Sequence, residues 1–245
     1  MADTLDSHIA RCAEERAVVS IAETTGKPLS QRLRTVSHVG HVESESEPRY
    51  AIAYLRGGLN HDGIAAQAAQ HYLIYEALES ATRAHRKRAG DDFPFWLPEL
   101  HRLPSLVADL EHWLGPHWRH EVDERFATTG VMTYVARINE VAPTSFRHFL
   151  AHHYTRYLAD LSGGQMIARM FRESYRTQGD TGSRFYTFTD IDDPMAYKDF
   201  YRGLVDAQDF SDEDQVVILK EVAVAYWLNG AAGQDLEDRF EEYRA

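Results

Sequence analysis

One stretch near the middle of the chain combines a cation, a carboxylate and two glycines at helical spacing. Asp160 follows Arg156 by four residues, so both side chains would lie on one face of a helix. Gly163 and Gly164 come directly after them, inside a run from about 145 to 176 whose apolar residues recur every three or four positions. Glycine in a helix interior costs roughly 1 kcal/mol relative to alanine, so a pair of glycines needs a reason.

Two explanations of the glycine pair are open. Glycine tolerates a bend and lets a flat, bulky ligand approach the backbone, with the carboxylate of Asp160 beside it. Alternatively, a second helix crosses this one closely at Gly163 and Gly164 and no ligand is involved. Spacing by itself does not separate these explanations.

A second group of residues that could bind a ligand lies on an early helix. Arg34, His41 and Glu45 are spaced by seven and four, which places them on one helix face, and His38 lies one turn before His41. An imidazole there could bind a metal through one nitrogen while the carboxylate orients it directly or through water. The alternative is a solvated polar face.

Composition excludes several classes of protein. The chain has 245 residues and a formal net charge of −12, which argues against nucleic acid as the main partner because phosphate binding needs a basic face. Its one cysteine, Cys12, cannot form an internal disulfide and suits a reducing compartment. The acidic N-terminus does not resemble a signal peptide, and no run of 18 apolar residues predicts a membrane span. We therefore expect a soluble, cytoplasmic protein.

Common catalytic motifs are missing from the sequence. It has no cysteine pair for structural zinc, no phosphate-binding glycine loop and no serine nucleophile elbow. It also lacks Glu-x-x-His, the signature of di-iron carboxylate bundles. A helical sandwich around a flat iron cofactor fits the groups that remain.

The hydrophobic pattern predicts helices throughout and no alternating strand pattern. We expect an all-α, single-domain helical bundle. The predicted helices span about 5–23, 29–43, 50–56, 64–87, 104–114, 129–141 and 145–176, with another opening at Pro194 and a last one containing residues 217–229. Ser211 and Asp214 are expected to form a capping box, and Gly230 to Gly233 are expected to break the last helix.

The central stretch resembles the signature of the heme oxygenases. It reads Tyr154-Thr155-Arg156-Tyr157-Leu158-Ala159-Asp160-Leu161-Ser162-Gly163-Gly164-Gln165. The similarity extends from about Leu29 to Leu236. Flanking segments agree in order and distance: Tyr134-Val135, Phe185-Tyr186-Thr187-Phe188, Tyr197-Lys198-Asp199-Phe200-Tyr201-Arg202 and Leu228-Asn229.

The resemblance implies that heme b is both substrate and cofactor, held between a proximal and a distal helix. It implies His41 as the iron ligand, four residues before an acid at Glu45, with His38 as the alternative because the match needs one extra residue before Tyr50. Positions matching propionate contacts would fix which heme edge faces the glycines. These are Arg34, Tyr154, Lys198 and Arg202.

On the distal side, the resemblance implies that Asp160 anchors ordered waters that deliver a proton to activated dioxygen. Gly163 and Gly164 would give clearance for the heme ring. The other polar residues that match the network around the aspartate are Tyr75, Tyr134, Arg156 and Asn229. The reaction implied is oxidative cleavage of heme to biliverdin, carbon monoxide and ferrous iron.

One position departs from the family pattern. The family usually has glycine immediately before the aspartate, where this chain has Ala159. Its methyl group would crowd the distal space, so a non-catalytic heme-binding or storage protein with the same fold is the alternative function. Residues 1–28 lack a clear counterpart and are read as a partly helical N-terminal extension, ahead of a heme oxygenase-like domain at 29–245.

The implied partners are heme, dioxygen and an electron-donor protein, either a ferredoxin or a flavin reductase. We expect no flavin or nicotinamide site in the chain itself, and neither nucleic acid nor membrane as a partner. Two basic groups are candidates for docking an acidic donor. One is the segment 83–88, and the other is the set Arg169, Arg172 and Arg176 after the glycines.

Overall fold

The computed structural model describes residues 18–43 and 48–245, and the side chains of residues 18–38 and 48–245. Residues 18–23 are helical. The later helices, in chain order, are α1 (Leu29–Glu43), α2 (Arg49–Arg56), α3 (His61–Ala89), α4 (Leu103–Leu114), α5 (Trp118–Glu121), α6 (Thr129–Val141), α7 (Phe146–Tyr175), α8 (Pro194–Asp206), α9 (Asp212–Asp238) and α10 (Phe240–Tyr243). The described residues contain no β-strand, and Leu59 and Arg244 form an isolated antiparallel bridge. The all-α prediction is confirmed.

Polar side chains fix where the long helices begin. The Asn60 side chain accepts from the Gly63 backbone N–H at 2.9 Å and starts α3. Ser145 caps α7 in the same way, and Ser211 with Asp214 forms the predicted capping box of α9. Each cap satisfies backbone donors that have no partner inside the helix. These signals explain why the observed starts lie close to those read from the sequence.

The core is built where α7 meets α3 and α9. Helix α9 packs against α7, α6 and α1, while α3 packs against α4, α6 and α7. Tyr75 of α3, Tyr134 of α6 and Tyr157 of α7 are fully buried at these contacts. Three helices therefore present buried tyrosines to one region beside the glycine pair of α7.

The predicted break at Gly230–Gly233 is wrong, because α9 continues without interruption to Asp238. Ala232 and Leu236 are buried and hold the C-terminal half of the helix against the core. Asp235, on the same stretch, accepts the backbone N–H of Gly130 at 2.7 Å. Tertiary packing thus outweighs the low helix propensity of two glycines.

Helix α9 is also the one described helix that is long and apolar enough to cross a membrane by length and composition. Its buried residues, including Leu219, Val222 and Leu228, face α7, α6 and α1. Glu221, in the middle of the same helix, is buried in ion pairs with other helices. These contacts are those of a core helix.

Candidate active site

The Asp160 carboxylate of α7 is the centre of a buried polar cluster. The hydroxyl of Tyr75, from α3, donates a short hydrogen bond to Asp160 Oδ2. Burial raises the pKa of Asp160, while Arg156, the Tyr75 hydrogen bond and Arg102 act in the opposite direction without cancelling it. Asp160 is therefore a carboxyl group whose proton is held more tightly than that of an exposed aspartate.

Arg156 connects this cluster to α9. Its Nη1 donates to the side-chain oxygen of Asn229 at 2.7 Å, and its guanidinium lies 5.2 Å from the centre of the Tyr75 ring. Nε and Nη2 of Arg156 are buried without a partner among the described residues, and so is the Tyr134 hydroxyl. Buried polar groups are rarely left unsatisfied, so these donors mark a place where polar ligand atoms or water bind.

The two glycines have different surroundings. A Cβ added at Gly163 would meet only Ile167 Cδ1, at 3.7 Å. A Cβ added at Gly164 would stand 3.0 Å from the carbonyl oxygen of Tyr186. Gly163 therefore faces open space, whereas Gly164 lets the turn Arg184–Tyr186 approach α7 closely. The packing explanation therefore holds for Gly164, while the ligand explanation stays a prediction for Gly163.

A cationic edge lies on the other side of the same helix. Arg202 of α8 and Arg34 of α1 both lie close enough to oppose the effect of burial on Tyr154, whose pKa burial raises to about 12. Lys198 donates to the Ser162 hydroxyl at 3.1 Å, which brings the start of α8 next to Gly163. Three cations and a tyrosine thus line α7 at this cationic edge, which offers the charges that propionates would pair with.

The two candidate iron ligands, His41 and His38, both belong to α1. His41 belongs to α1, but its side chain lies outside the described residues, as does Glu45 entirely. His38 is described and is exposed. The choice of His41 over His38 stays a prediction.

A second buried polar cluster surrounds Glu221, and the sequence analysis did not predict it. Glu221 of α9 accepts from Arg137 at 3.0 and 2.7 Å and from His152 Nε2 at 2.9 Å. Burial would raise the pKa of Glu221, but these hydrogen bonds and charges outweigh burial and lower it to about 2. The two partners are 84 and 69 residues away in sequence, so spacing contains no signal for them.

His71 and Asp109 were also not recognised as polar groups of this region. His71 precedes Tyr75 by one turn on α3 and shares its helix face. Asp109 of α4 accepts the backbone N–H groups of Arg184 and Phe185, each at 2.9 Å, and so holds the turn that lies against Gly164. The spacing of His71 and Tyr75 could have identified the first, but nothing local indicates the second.

Comparison with known proteins gives a consistent result. The family model described as heme oxygenase matches residues 27–235. The heme oxygenase of Rhodella violacea is 31% identical over 212 residues, covering 86% of this chain and 88% of its own. Heme oxygenase 2 of Synechocystis sp. is 30% identical over 213 residues, covering 86% and 83%.

Solved structures agree with the sequence relatives. The crystal structure of heme oxygenase-1 from Synechocystis sp. in complex with heme matches with a TM-score of 0.76 and 29% identity, over 88% of this chain and 95% of that one. Heme oxygenase-2 from the same organism, in complex with heme and NO, matches with a TM-score of 0.78 over 88% of each chain. The chain therefore belongs to the heme oxygenase family of heme-degrading oxidoreductases, whose reaction is the oxidative cleavage of heme.

Proposed function

We propose that this chain binds heme b between α1 and α7 and cleaves it to biliverdin, carbon monoxide and ferrous iron, using dioxygen and external electrons. The observation that carries the proposal is the face of α7 at Gly163. A side chain there would meet only Ile167 Cδ1, and the bonded pair Tyr75 and Asp160 lies one turn away. An open helix face beside a half-buried carboxyl group is what a flat substrate with a polar reaction centre needs.

The donors around this face fit heme. Arg156 and Tyr134 present buried polar atoms that have no partner among the described residues. Arg34, Lys198 and Arg202 supply positive charge for two propionates, and Tyr154 supplies a hydroxyl at the same edge. His41 is the iron ligand in this proposal, with His38 as the alternative.

Each residue of the polar cluster has a role that follows from its chemistry. Bound heme supplies the iron that activates dioxygen and is itself the molecule that is cleaved. Asp160 would pass a proton at the reacting face, and burial makes its carboxyl group bind that proton more tightly than an exposed aspartate does. Tyr75 fixes the orientation of that carboxyl group, and Asn229 fixes Arg156, whose remaining donors orient water. A proton held in a defined direction steers the oxidation toward one edge of the ring.

The external electrons would come from an acidic donor protein, a ferredoxin or a flavin reductase. Arg169 and Arg172 line a cavity of about 560 Å³ with Met166, Tyr186 and Phe188. Arg169 follows Gly163 by six residues, which is about 9 Å along the helix. This short distance along the helix supports the arginine pair as the docking site for the donor.

The segment 83–88 is the weaker docking candidate. Its His85 packs on Phe149, with ring centres 4.7 Å apart, and Phe149 precedes Gly163 by about 21 Å of helix. Arg86 is already paired with Asp91 at 2.7 Å and lies over a tryptophan ring. We therefore assign donor docking to the Arg169 and Arg172 side, and a cytoplasmic location accompanies this proposal because such donors are soluble proteins.

Ala159 supports a second candidate function, a heme-binding or storage protein without turnover. It is exposed and lies one turn before Gly163 on the same face, so its methyl group borders the open space. An added methyl there would narrow the room for dioxygen while leaving the ring edge free. The cationic edge and the iron ligand are common to both candidates.

The test is hemin titration followed by turnover. Addition of hemin to the full chain should give a Soret band of a protein complex at one equivalent. Addition of ascorbate or a reductase with dioxygen should then remove the Soret band and produce a biliverdin absorbance. A Soret band that survives these conditions would support the storage function, and no Soret shift would defeat both candidates.

A further inference from the structure

His71 lies at the back of the polar cluster and has no part in the proposed function so far. It precedes Tyr75 by four residues on α3, so the two side chains share one helix face. Its ring centre is 4.3 Å from that of Phe185 and 6.3 Å from that of Tyr186. Phe185 in turn lies 5.5 Å from Tyr75, and the Tyr186 carbonyl lies against Gly164. The imidazole therefore packs against Phe185 and Tyr186, which also contact Tyr75 and Gly164 respectively. We call these residues the inner wall of the site.

The hydrogen bond to Gln67 fixes the tautomer of His71. The Gln67 amide nitrogen is 2.9 Å from His71 Nε2. An amide nitrogen only donates, so Nε2 accepts and the neutral ring carries its proton on Nδ1. Nδ1 makes no hydrogen bond to another described residue. The ring thus presents one N–H donor in a fixed direction.

The same surroundings keep the ring neutral. Burial, with the positive charge of Arg156 from α7, holds the pKa of His71 well below its ordinary value of 6.5. The other groups that face it are Tyr75 on its own helix and Tyr186 from the turn, and both are neutral because burial raises their pKa. His71 is therefore neutral at neutral pH, where it donates from Nδ1 and does not act as a proton store.

We propose that His71 is a positioning residue of heme cleavage, whose Nδ1–H donates to water in the distal space and fixes the direction in which that water serves Asp160. The inference rests on the proposed function. Beside Asp160, the atoms without a partner among the described residues are the Nε and Nη2 donors of Arg156 and the hydroxyl of Tyr134, which can donate or accept, so the carboxyl group is the strongest acceptor of the site. The Nδ1–H of His71 would hold a water molecule in one orientation. That water would make its other hydrogen bonds to the Asp160 carboxyl group.

The test compares His71→Leu with His71→Asn. The two side chains have the same number and branching of non-hydrogen atoms, but only asparagine keeps an N–H donor near the position of Nδ1. The readout is the pH midpoint of the acid–alkaline spectral transition of the ferric heme complex. Removal of a donor disfavours the anionic form, so His71→Leu should raise the midpoint by about 0.4 to 1 unit, the size of one neutral hydrogen bond. His71→Asn should restore it, and exposed His117→Leu should leave it unchanged.

Three outcomes are distinguishable. Equal midpoints for wild type and His71→Leu, with hemin bound normally, would overturn the role of His71 and leave the proposed function intact. Equal shifts in His71→Leu and His71→Asn would also overturn it, because packing alone would then explain the effect. Failure of the wild type to bind hemin would defeat the proposed function and this role together.

A second measurement needs no heme. Nitrogen NMR of the imidazole in the apo chain should show a neutral ring protonated at Nδ1 from pH 8 down to pH 5. An Nε2-protonated tautomer, or a charged ring within this range, would contradict the geometry on which the inference stands. Because the apo chain is used, this result is independent of whether heme is cleaved.

Discussion

The carbonyl oxygen of Tyr186 lies against the Cα of Gly164, whereas the neighbouring Gly163 faces open space. A Cβ at Gly164 would be 3.0 Å from that oxygen, and one at Gly163 would meet only Ile167 Cδ1 at 3.7 Å. The two glycines are adjacent in sequence, but the space where a side chain would stand is filled by the Tyr186 backbone at Gly164 and is open at Gly163. This difference separates a structural from a ligand-related role by experiment.

Alanine at Gly163 should stabilise the apo chain and weaken heme binding. Alanine at Gly164 should give a less stable chain that retains more of its heme affinity. Gly163→Ala should raise the free energy of unfolding of the apo chain by up to about 1 kcal/mol, because alanine favours the helix. Gly164→Ala should be less stable than Gly163→Ala by about 1–3 kcal/mol, since its methyl must displace the Tyr186 backbone. Urea unfolding of both apo variants measures these differences.

Heme affinity should follow the reverse order. The methyl group of Gly163→Ala enters the face proposed for the ring and should weaken hemin binding about tenfold or more, which is at least about 1.4 kcal/mol. Gly164→Ala should retain more of the wild-type affinity where it stays folded. Unchanged hemin affinity in Gly163→Ala would place the ring elsewhere.

The iron ligand is tested by a pair of histidine variants on α1. His41→Ala should bind hemin more weakly and lose the absorption and resonance Raman signature of histidine ligation, because the imidazole is the expected metal ligand. His38→Ala should keep the signature, since His38 is exposed. Added imidazole should restore the signature in His41→Ala. Loss of ligation in His38→Ala alone would show that the assignment of His41 is wrong.

The role of Asp160 is tested by Asp160→Ala. Hemin binding should stay, because the cationic edge and the iron ligand are unchanged. The biliverdin yield should fall about 10²-fold, in the range expected for loss of a general acid, and peroxidase-like oxidation of guaiacol should rise. The exposed Asp190→Ala is the matched control. A normal biliverdin yield from Asp160→Ala would defeat the proton-delivery argument.

Sequence reasoning located the helices well because their apolar periodicity is strong. The bounds of α6 were predicted to the residue, and those of α3 and α7 lie within three residues of the prediction at each end. The error at Gly230–Gly233 arose because local propensity was weighed without knowing that Leu236 is buried against the core. The apolar periodicity of the sequence thus predicts where helices form. Whether a helix continues through a glycine depends on its packing against other helices.

The candidate site was predicted unevenly for the same reason. Asp160, Arg156 and the glycines stand out by local spacing, and the resemblance supplied Tyr75 and the remaining partners. The pairing of Glu221 with Arg137, and of Asp109 with the turn Arg184–Tyr186, joins groups that are 75 to 84 residues apart. Such contacts depend on how helices are placed in three dimensions, which no local pattern encodes.

Asp109 gives a prediction about pH and stability. Its side chain is 2% exposed, and its two oxygens accept the backbone N–H groups of Arg184 and Phe185. Burial raises its pKa from 3.8 to about 6, although both hydrogen bonds and the charge of Arg184 act against burial, while Asp180 acts with it. Because the folded pKa lies above the unfolded one, folding favours the protonated form. The contribution of Asp109 to stability is full below about pH 4 and is lost as the pH rises through about 6.

Asp109→Asn lacks this titration, so its stability relative to the wild type should depend on pH. A shift of about 2 units corresponds to roughly 3 kcal/mol, so the difference in unfolding free energy should move by about that amount in favour of the variant between pH 4 and pH 7. Urea unfolding of both proteins at several pH values measures it, and the other carboxyl groups cancel because they are common to both. The exposed Asp190→Asn should show no such trend. A constant difference for Asp109→Asn would mean that this carboxylate stays charged in the fold, fully compensated by the backbone of the turn that lies against Gly164.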